Sequence, residues 1–133
     1  MVGTYVGNQT NAAAWGAAET TGSGTAMGTN VPSNAVLATP VMLSANTTYG
    51  IAINMDVDVN YSGTGSNPAP GALNYSNADI SVDLGSAVSG LFTGTPFQPR
   101  IWNGTINYVT SGGSGLEFTC ADLGENIIEV TVT

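Results

Sequence analysis

Apolar and polar residues alternate with a period of two along several stretches of this chain. In 51–59 (IAINMDVDV) the apolar set is Ile51, Ile53, Met55, Val57 and Val59, and the polar or small set is Ala52, Asn54, Asp56 and Asp58. Successive side chains of a β-strand point to opposite faces, so this pattern predicts a half-buried strand over 51–59.

Three further stretches repeat the alternation. Their inward-facing positions are Ala78, Ile80, Val82 and Leu84 in 78–84, Trp102, Ile106 and Tyr108 in 101–109, and Ile128, Val130 and Val132 in 127–133. A less regular apolar run, 35–43, is interrupted by Pro40, which indicates an edge strand or a bulge because proline cannot donate to a sheet.

Clusters of glycine, serine, asparagine and proline separate these stretches, as in 62–68 and 94–96. Short strands between such turns are typical of an all-β protein, and we expect an antiparallel β-sandwich of the jelly-roll or immunoglobulin-like kind. The alanine-rich segment 11–19 has Gly16 in its middle, so we expect a strand or an ordered loop there, with a helical turn as the alternative.

The run 111–115 (SGGSG) has the composition of a flexible linker or a long turn. We therefore expect a β-sandwich module over 1–110 and a terminal segment over 116–133. That segment is too short to form a core alone. It either completes the sandwich, opens a further domain, or pairs with a neighbouring subunit.

The residues that are scarce narrow the chemistry. The 133 residues include no histidine and no lysine. They include a single cysteine and a single arginine, against nine Asp and Glu, which gives a net charge of −8. These counts exclude a serine–histidine triad, a lysine Schiff base and a cysteine-rich zinc site. A pair of carboxylates, as in glycoside hydrolysis, is the catalytic option left, and it usually needs a larger cleft. We therefore expect that the protein is not an enzyme.

Charge and hydropathy also limit the partners. A net charge of −8 argues against nucleic acid and against anionic lipid surfaces. No stretch approaches the ~18 apolar residues of a membrane helix, so we expect no membrane insertion. The abundance of Thr, Asn and Gly with so few cations favours a secreted or cell-surface protein.

Two sequence pieces, YSNADI at 75–80 and FQPRIWNGTINY at 97–108, carry a resemblance to a known kind of module. Together with 48–52 and 60–65, they resemble a β-sandwich module of large secreted or cell-surface proteins of Bacteroidetes-type bacteria. Residues before 48 resemble it more loosely, through Trp15 and the turn at 29–32. The resemblance implies a β-sandwich that occurs beside hyalin-repeat-like and immunoglobulin-like domains of a larger surface protein, and it implies no catalytic residues.

The tail 118–133 resembles a different unit, part of an immunoglobulin-like or hyalin-repeat-like domain. In that pattern a second cysteine follows Cys120, and here the sequence stops at Thr133. The resemblance thus implies a partner for Cys120 that this chain does not contain.

Four carboxylates form a candidate calcium site. Asp56 and Asp58 lie on the polar face of one predicted strand, and Asp79 and Asp83 lie on that of another. If the two strands are neighbours, the carboxylates repel one another, and a hard cation such as Ca²⁺ relieves the repulsion. The alternative is that the four groups are spread over a solvated face.

Several aromatic residues and the single cation are candidates for binding or structural roles. Tyr61 and Tyr75, beside Ser and Asn turns, are the candidates for stacking against a glycan. Arg100 is expected to meet a carboxylate or to cap carbonyl groups at the end of a strand, and Trp102 to point into the core.

The terminal strand is a candidate interface. Its alternating residues Ile128, Val130 and Val132 have few flanking charges, so it can pair with its own sheet or add to the sheet of another copy, which would build a filament. The N-terminal stretch 2–6 can behave in the same way. The sequence therefore predicts a non-enzymatic extracellular module with a structural or adhesive role, and the alternative is a carbohydrate-binding module.

Overall fold

A computed structural model describes residues 1–28, 31–56, 74–100, 104–110, 116–120 and 126–132. In this part of the chain the elements are one short helix, α1 (Ala12–Trp15), and eight strands. The strands are β1 (Gly22–Ser23), β2 (Ser33–Leu37), β3 (Thr47–Ile53), β4 (Asn74–Ser76), β5 (Ile80–Ala87), β6 (Gly104–Tyr108), β7 (Leu116–Cys120) and β8 (Asn126–Val132). The expectation of an all-β chain is confirmed.

The strands form two four-stranded antiparallel sheets. Sheet I has the order β1-β2-β7-β6, and sheet II has the order β3-β8-β5-β4. The last two strands, β7 and β8, therefore belong to different sheets. Residues 116–132 supply a central strand to each, whereas the expected linker at 111–115 lies outside the described residues.

One apolar cluster receives side chains from both sheets. Ile80, Val82 and Val130 are its buried members, and Val130 is fully buried. Leu37 of sheet I and Ile51 of sheet II are among the half-buried residues that pack against it. Burying a valine of this kind stabilises the fold by about 1.5–3 kcal/mol, so Val130 is a main contributor.

The boundaries of β3 and β5 differ from the expected ones. The strand expected over 51–59 is β3, which begins at Thr47 and ends at Ile53; Val57 and Val59 lie outside the described residues. The strand expected over 78–84 begins at Ile80, because Asn77 accepts the backbone N–H groups of Asp79 and Ile80 and holds a turn there. Ala78 is consequently exposed rather than inward-facing.

The expectation of a strand or loop over 11–19 was wrong for its centre, which contains the alternative helical turn. Residues 12–15 form α1, and Gly16 follows it with a φ of 76°. Alanine is the best helix former, and a glycine in the left-handed region ends a helix easily. Pro40 lies three residues beyond β2, outside any strand.

Residues 1–9, here called the N-terminal segment, cover part of the second face of sheet II. Tyr5 is 3% exposed and clusters with Val88, with Trp15 and Ala52 packed against the pair. Ala52 was expected on a polar face, so this contact is a departure from the alternation. The segment is possible because Gly50 has no side chain: a Cβ there would lie 3.1 Å from Met1 Cγ and 3.2 Å from Tyr5 Cβ.

Candidate functional site

The structure does not bring the candidate calcium ligands together. Strands β3 and β5 are separated by β8, and both are antiparallel to it. In register, Ile53 is level with Ala87, and Thr47 is level with Ile80. Asp56, which follows β3, and Asp79, which precedes β5, therefore lie beyond opposite ends of sheet II.

The remaining carboxylates of that set have protein partners or are outside the described residues. Asp83 Oδ1 accepts a hydrogen bond from Asn74 Nδ2 at 2.9 Å, across the β4–β5 pair, and Asp58 lies outside. Within the described stretches no group of three or more His, Cys, Asp or Glu side chains is arranged to hold a metal ion. The condition on which the calcium hypothesis depended, adjacency of the two strands, is not met.

Asp79 instead takes part in a link between the two sheets. Tyr108 of β6 donates its phenolic hydroxyl to Asp79 Oδ2 at 2.9 Å, and Asn77 Nδ2 donates to Tyr108 Oη at 2.8 Å. The same Asn77 holds the turn before β5 through its Oδ1 atom. These three side chains fasten the β4–β5 hairpin of sheet II to the edge strand of sheet I.

Arg100 is half-buried and makes contacts with nearby groups. Its Nη1 donates to the carbonyl oxygen of Pro99 at 2.9 Å, and its guanidinium carbon lies 5.7 Å from the centre of the Phe97 ring. Its backbone N–H donates to Gly85 at 2.8 Å. The guanidinium thus reaches the carbonyl group of the preceding residue, and the expected role at the end of a strand stays a prediction. Trp102 lies outside the described residues.

One of the two candidate glycan-stacking residues, Tyr75, lies exposed at the edge of a sheet. Tyr75 is 60% exposed on β4, the edge strand of sheet II, and its neighbours Asn74 and Ser76 are exposed as well. Tyr61 lies outside the described residues. Trp15 is not available as an open platform, because its ring stacks on Phe92 at 5.2 Å and its indole N–H donates to Asn8.

The candidate interface strand lies inside sheet II. β8 is hydrogen-bonded to β3 on one side and to β5 on the other, and Val130 is fully buried. Val132 packs against the core cluster, and the side chain of Ile128 is outside the described set. In this structure β8 therefore offers no edge to a neighbouring subunit.

A groove of about 920 Å³ opens along the side of the molecule where β1 and β3 are the edge strands of their sheets. It is lined chiefly by residues 15–26, 41–43 and 49–56. Tyr49 stands in this lining, and the backbone N–H of Ser44 donates to its Oη at 2.9 Å, a hydrogen bond that lowers the pKa of Tyr49.

One buried polar cluster was not indicated by any pattern in the sequence. Gln9 is 7% exposed and Ser86 is 1% exposed, and Gln9 Nε2 lies 3.1 Å from Gln98 Oε1. Ser86 Oγ lies 3.4 Å from the same Gln98 oxygen. Glutamines in loops carry no periodicity, so only the three-dimensional packing reveals that they join the N-terminal segment to residues 86–98. The Asn77 turn, in contrast, was readable from the spacing of Asn77 and Asp79.

Comparison with known proteins adds no relative. No protein-family model, curated protein or solved structure matches the chain. The resemblance to secreted modules of Bacteroidetes-type bacteria, and that of the tail to an immunoglobulin-like unit, both stay predictions. In the part of the chain that the structure describes, no helix is long and apolar enough to cross a membrane.

Proposed function

We propose that this chain is a non-enzymatic structural or adhesive module of a secreted or cell-surface protein, built as an antiparallel β-sandwich of the jelly-roll or immunoglobulin-like kind. The apolar cluster that sheets I and II share supports the sandwich. The composition, rich in Thr, Asn and Gly with one cation, supports an extracellular setting. Neighbouring domains of a larger surface protein are the natural partners of such a module.

The observation that carries the proposal is that the polar side chains hydrogen-bond to one another and so join different elements of the fold. Asp79, Tyr108 and Asn77 tie one sheet to the other, Asp83 is bonded to Asn74, and Gln9 is bonded to Gln98. A catalytic carboxylate pair would instead face a common cleft. Polar groups that join elements of the fold favour a rigid scaffold.

Negative-stain microscopy and size-exclusion chromatography with light scattering test the structural role. A building block should give uniform monomers or ordered fibres that survive prolonged protease treatment. Turnover of a glycan or peptide by the purified chain would contradict the proposal. Since β8 is paired on both sides, fibres are expected to form through other edges or through flanking domains.

A carbohydrate-binding module is the second candidate, and the exposure of Tyr75 is the observation that favours it. Its ring is exposed on an edge strand, as aromatic rings in glycan sites often are, although the side chains of Asn74 and Ser76 lie on the opposite face of β4. A glycan array tests this candidate. Binding that Tyr75→Ala abolishes and that Met42→Ala, at another exposed apolar residue, preserves would favour it over a purely structural role.

A further inference from the structure

The groove exposes part of the shared core. Leu37, Leu43, Ile51 and Ile53 all pack against the core cluster, all are only half-buried, and all line the groove. Within the described residues no segment covers them on this side. A volume of about 920 Å³ is at the upper end of what binding sites use, and it leaves room for an extended chain.

The backbone of β3 faces the same groove. The N–H and carbonyl groups of a strand point alternately to its two sides. The backbone N–H and carbonyl groups of Thr48 and Gly50 point away from β8. The Gly50 N–H donates to the Met1 carbonyl oxygen at 2.9 Å, and the Thr48 carbonyl oxygen accepts from the Gly3 N–H at 2.8 Å. Ala52, two residues further on, has the same orientation, and no described backbone group is bonded to it on that side.

The edge of β3 already accepts an extended chain at one end. Residues 1–3 lie along Thr48–Gly50 through three backbone hydrogen bonds, including the one that the Met1 amino group donates to the Gly50 carbonyl oxygen at 2.8 Å. The open stretch at Ala52 continues directly from this pairing. A further strand placed there would gain the same backbone hydrogen bonds and cover Ile51 and Ile53.

The negative charge of the groove favours a partner strand that carries positive charge. Among the described residues that line it, the charged side chains are the carboxylates Glu19 and Asp56, and the Met1 ammonium, also in the lining, donates to the Gly50 carbonyl oxygen. Two copies of a chain with a net charge of −8 repel each other. We propose that the β3 edge binds an extended segment of a partner protein that has apolar residues at alternate positions and is flanked by lysine or arginine.

This inference names a partner class for the adhesive module, and to that extent it rests on the proposed function. The probe is a capped nine-residue peptide in which valine alternates with threonine between two terminal lysines. Titrated into ¹⁵N-labelled chain, it should shift the amide signals of Ala52 and of residues 20–26 and slow hydrogen exchange at Ala52. The same peptide with glutamates at its ends should bind more weakly, and added salt should reduce this difference.

Two protein variants separate backbone pairing from charge. Ala52→Pro removes the N–H that faces the groove and leaves the β3–β8 hydrogen bonds in place, so it should abolish binding while thermal melting shows a folded chain. Asp56→Asn should weaken binding about two- to fivefold. Asp83→Asn removes an equal charge from β5, away from the groove, and should leave binding unchanged.

Three outcomes would overturn the inference. They are the absence of amide shifts with about 1 mM peptide, equal binding by the Ala52→Pro chain, and shifts at Ala52 that depend on the concentration of the chain alone. The last would identify the occupant as a second copy. None of them bears on protease resistance or lack of turnover, so the proposed structural role would stand or fall separately.

Discussion

Tyr108 and Asp79 join the two sheets through a hydrogen bond of 2.9 Å between the tyrosine hydroxyl and a carboxylate oxygen. Tyr108 ends β6 in sheet I, and Asp79 immediately precedes β5 in sheet II. Alternation placed the Tyr108 ring in the core, and the ring does pack against the core cluster. Its hydroxyl extends to the rim of the cluster, where the Asp79 carboxylate accepts its hydrogen bond.

Removal of this hydroxyl should lower stability. A hydrogen bond to a charged group contributes about 1.5–3 kcal/mol, and the partial exposure of this pair places the Tyr108→Phe loss near the lower end of that range. Urea unfolding measures the change. Tyr75→Phe is the matched control, because Tyr75 is exposed, and it should change stability by less than about 0.5 kcal/mol. Equal effects of the two variants would show that the link contributes nothing.

Gly50 should be required for the N-terminal segment to dock. In Gly50→Val the new side chain meets Met1 and Tyr5, so the segment must move away, at a cost of about 1–3 kcal/mol. Hydrogen exchange should then become faster at Gly3 and Val88, and remain slow in β8. Asn54→Ala, an exposed change just beyond the same strand, should alter neither. Unchanged protection at Gly3 in Gly50→Val would contradict the placement of residues 1–9.

Calcium should leave the melting temperature unchanged. Asp56 and Asp79 lie beyond opposite ends of sheet II, and Asp83 is bonded to Asn74, so the described carboxylates give no common site. Differential scanning calorimetry with about 1 mM calcium or with a chelator measures the effect. A rise of several degrees that calcium causes and chelator reverses would show that the carboxylates are brought together after all.

Trypsin should cut the native chain slowly. Arg100 is the only Lys or Arg, and its backbone N–H and guanidinium are both hydrogen-bonded, so cleavage requires local opening. Thr25→Lys supplies a matched site in an exposed segment and should be cut much faster. Mass spectrometry of timed digests identifies each cleavage. Cleavage after Arg100 as fast as after the introduced lysine would contradict the packing around Arg100.

Alternation identified the strands that carry the core, because those strands have one buried face and one polar face. Ile51, Ile80, Val82, Ile106 and Val130 all lie in or against the shared cluster, as their spacing predicted. Short strands gave no such signal: β1 has two residues and β4 has three, too few for a period to show. Alanines before Gly16 formed a helical turn where no tertiary pattern opposed their propensity.

The strand order could not be predicted from local sequence patterns. The calcium hypothesis was wrong for this reason, because it required β3 and β5 to be neighbours. Nothing in 51–59 or 78–84 indicates that a strand from the far end of the chain lies between them. The placement of β8 depends on non-local pairing, which also determines that Val130 is central rather than terminal in the sheet. The packing of Tyr5 against Gly50 and Ala52 could not be predicted from the sequence either, because it uses the face of β3 that alternation assigned to solvent.

The position of β8 between β3 and β5 is the central claim about this fold, and hydrogen exchange of backbone amides followed by NMR tests it most directly. The amide of Val130 should be among the slowest in the chain to exchange, because it lies in a strand paired on both sides and its side chain is fully buried. Exchange of the Val130 amide at the rate of an unfolded peptide would contradict the account.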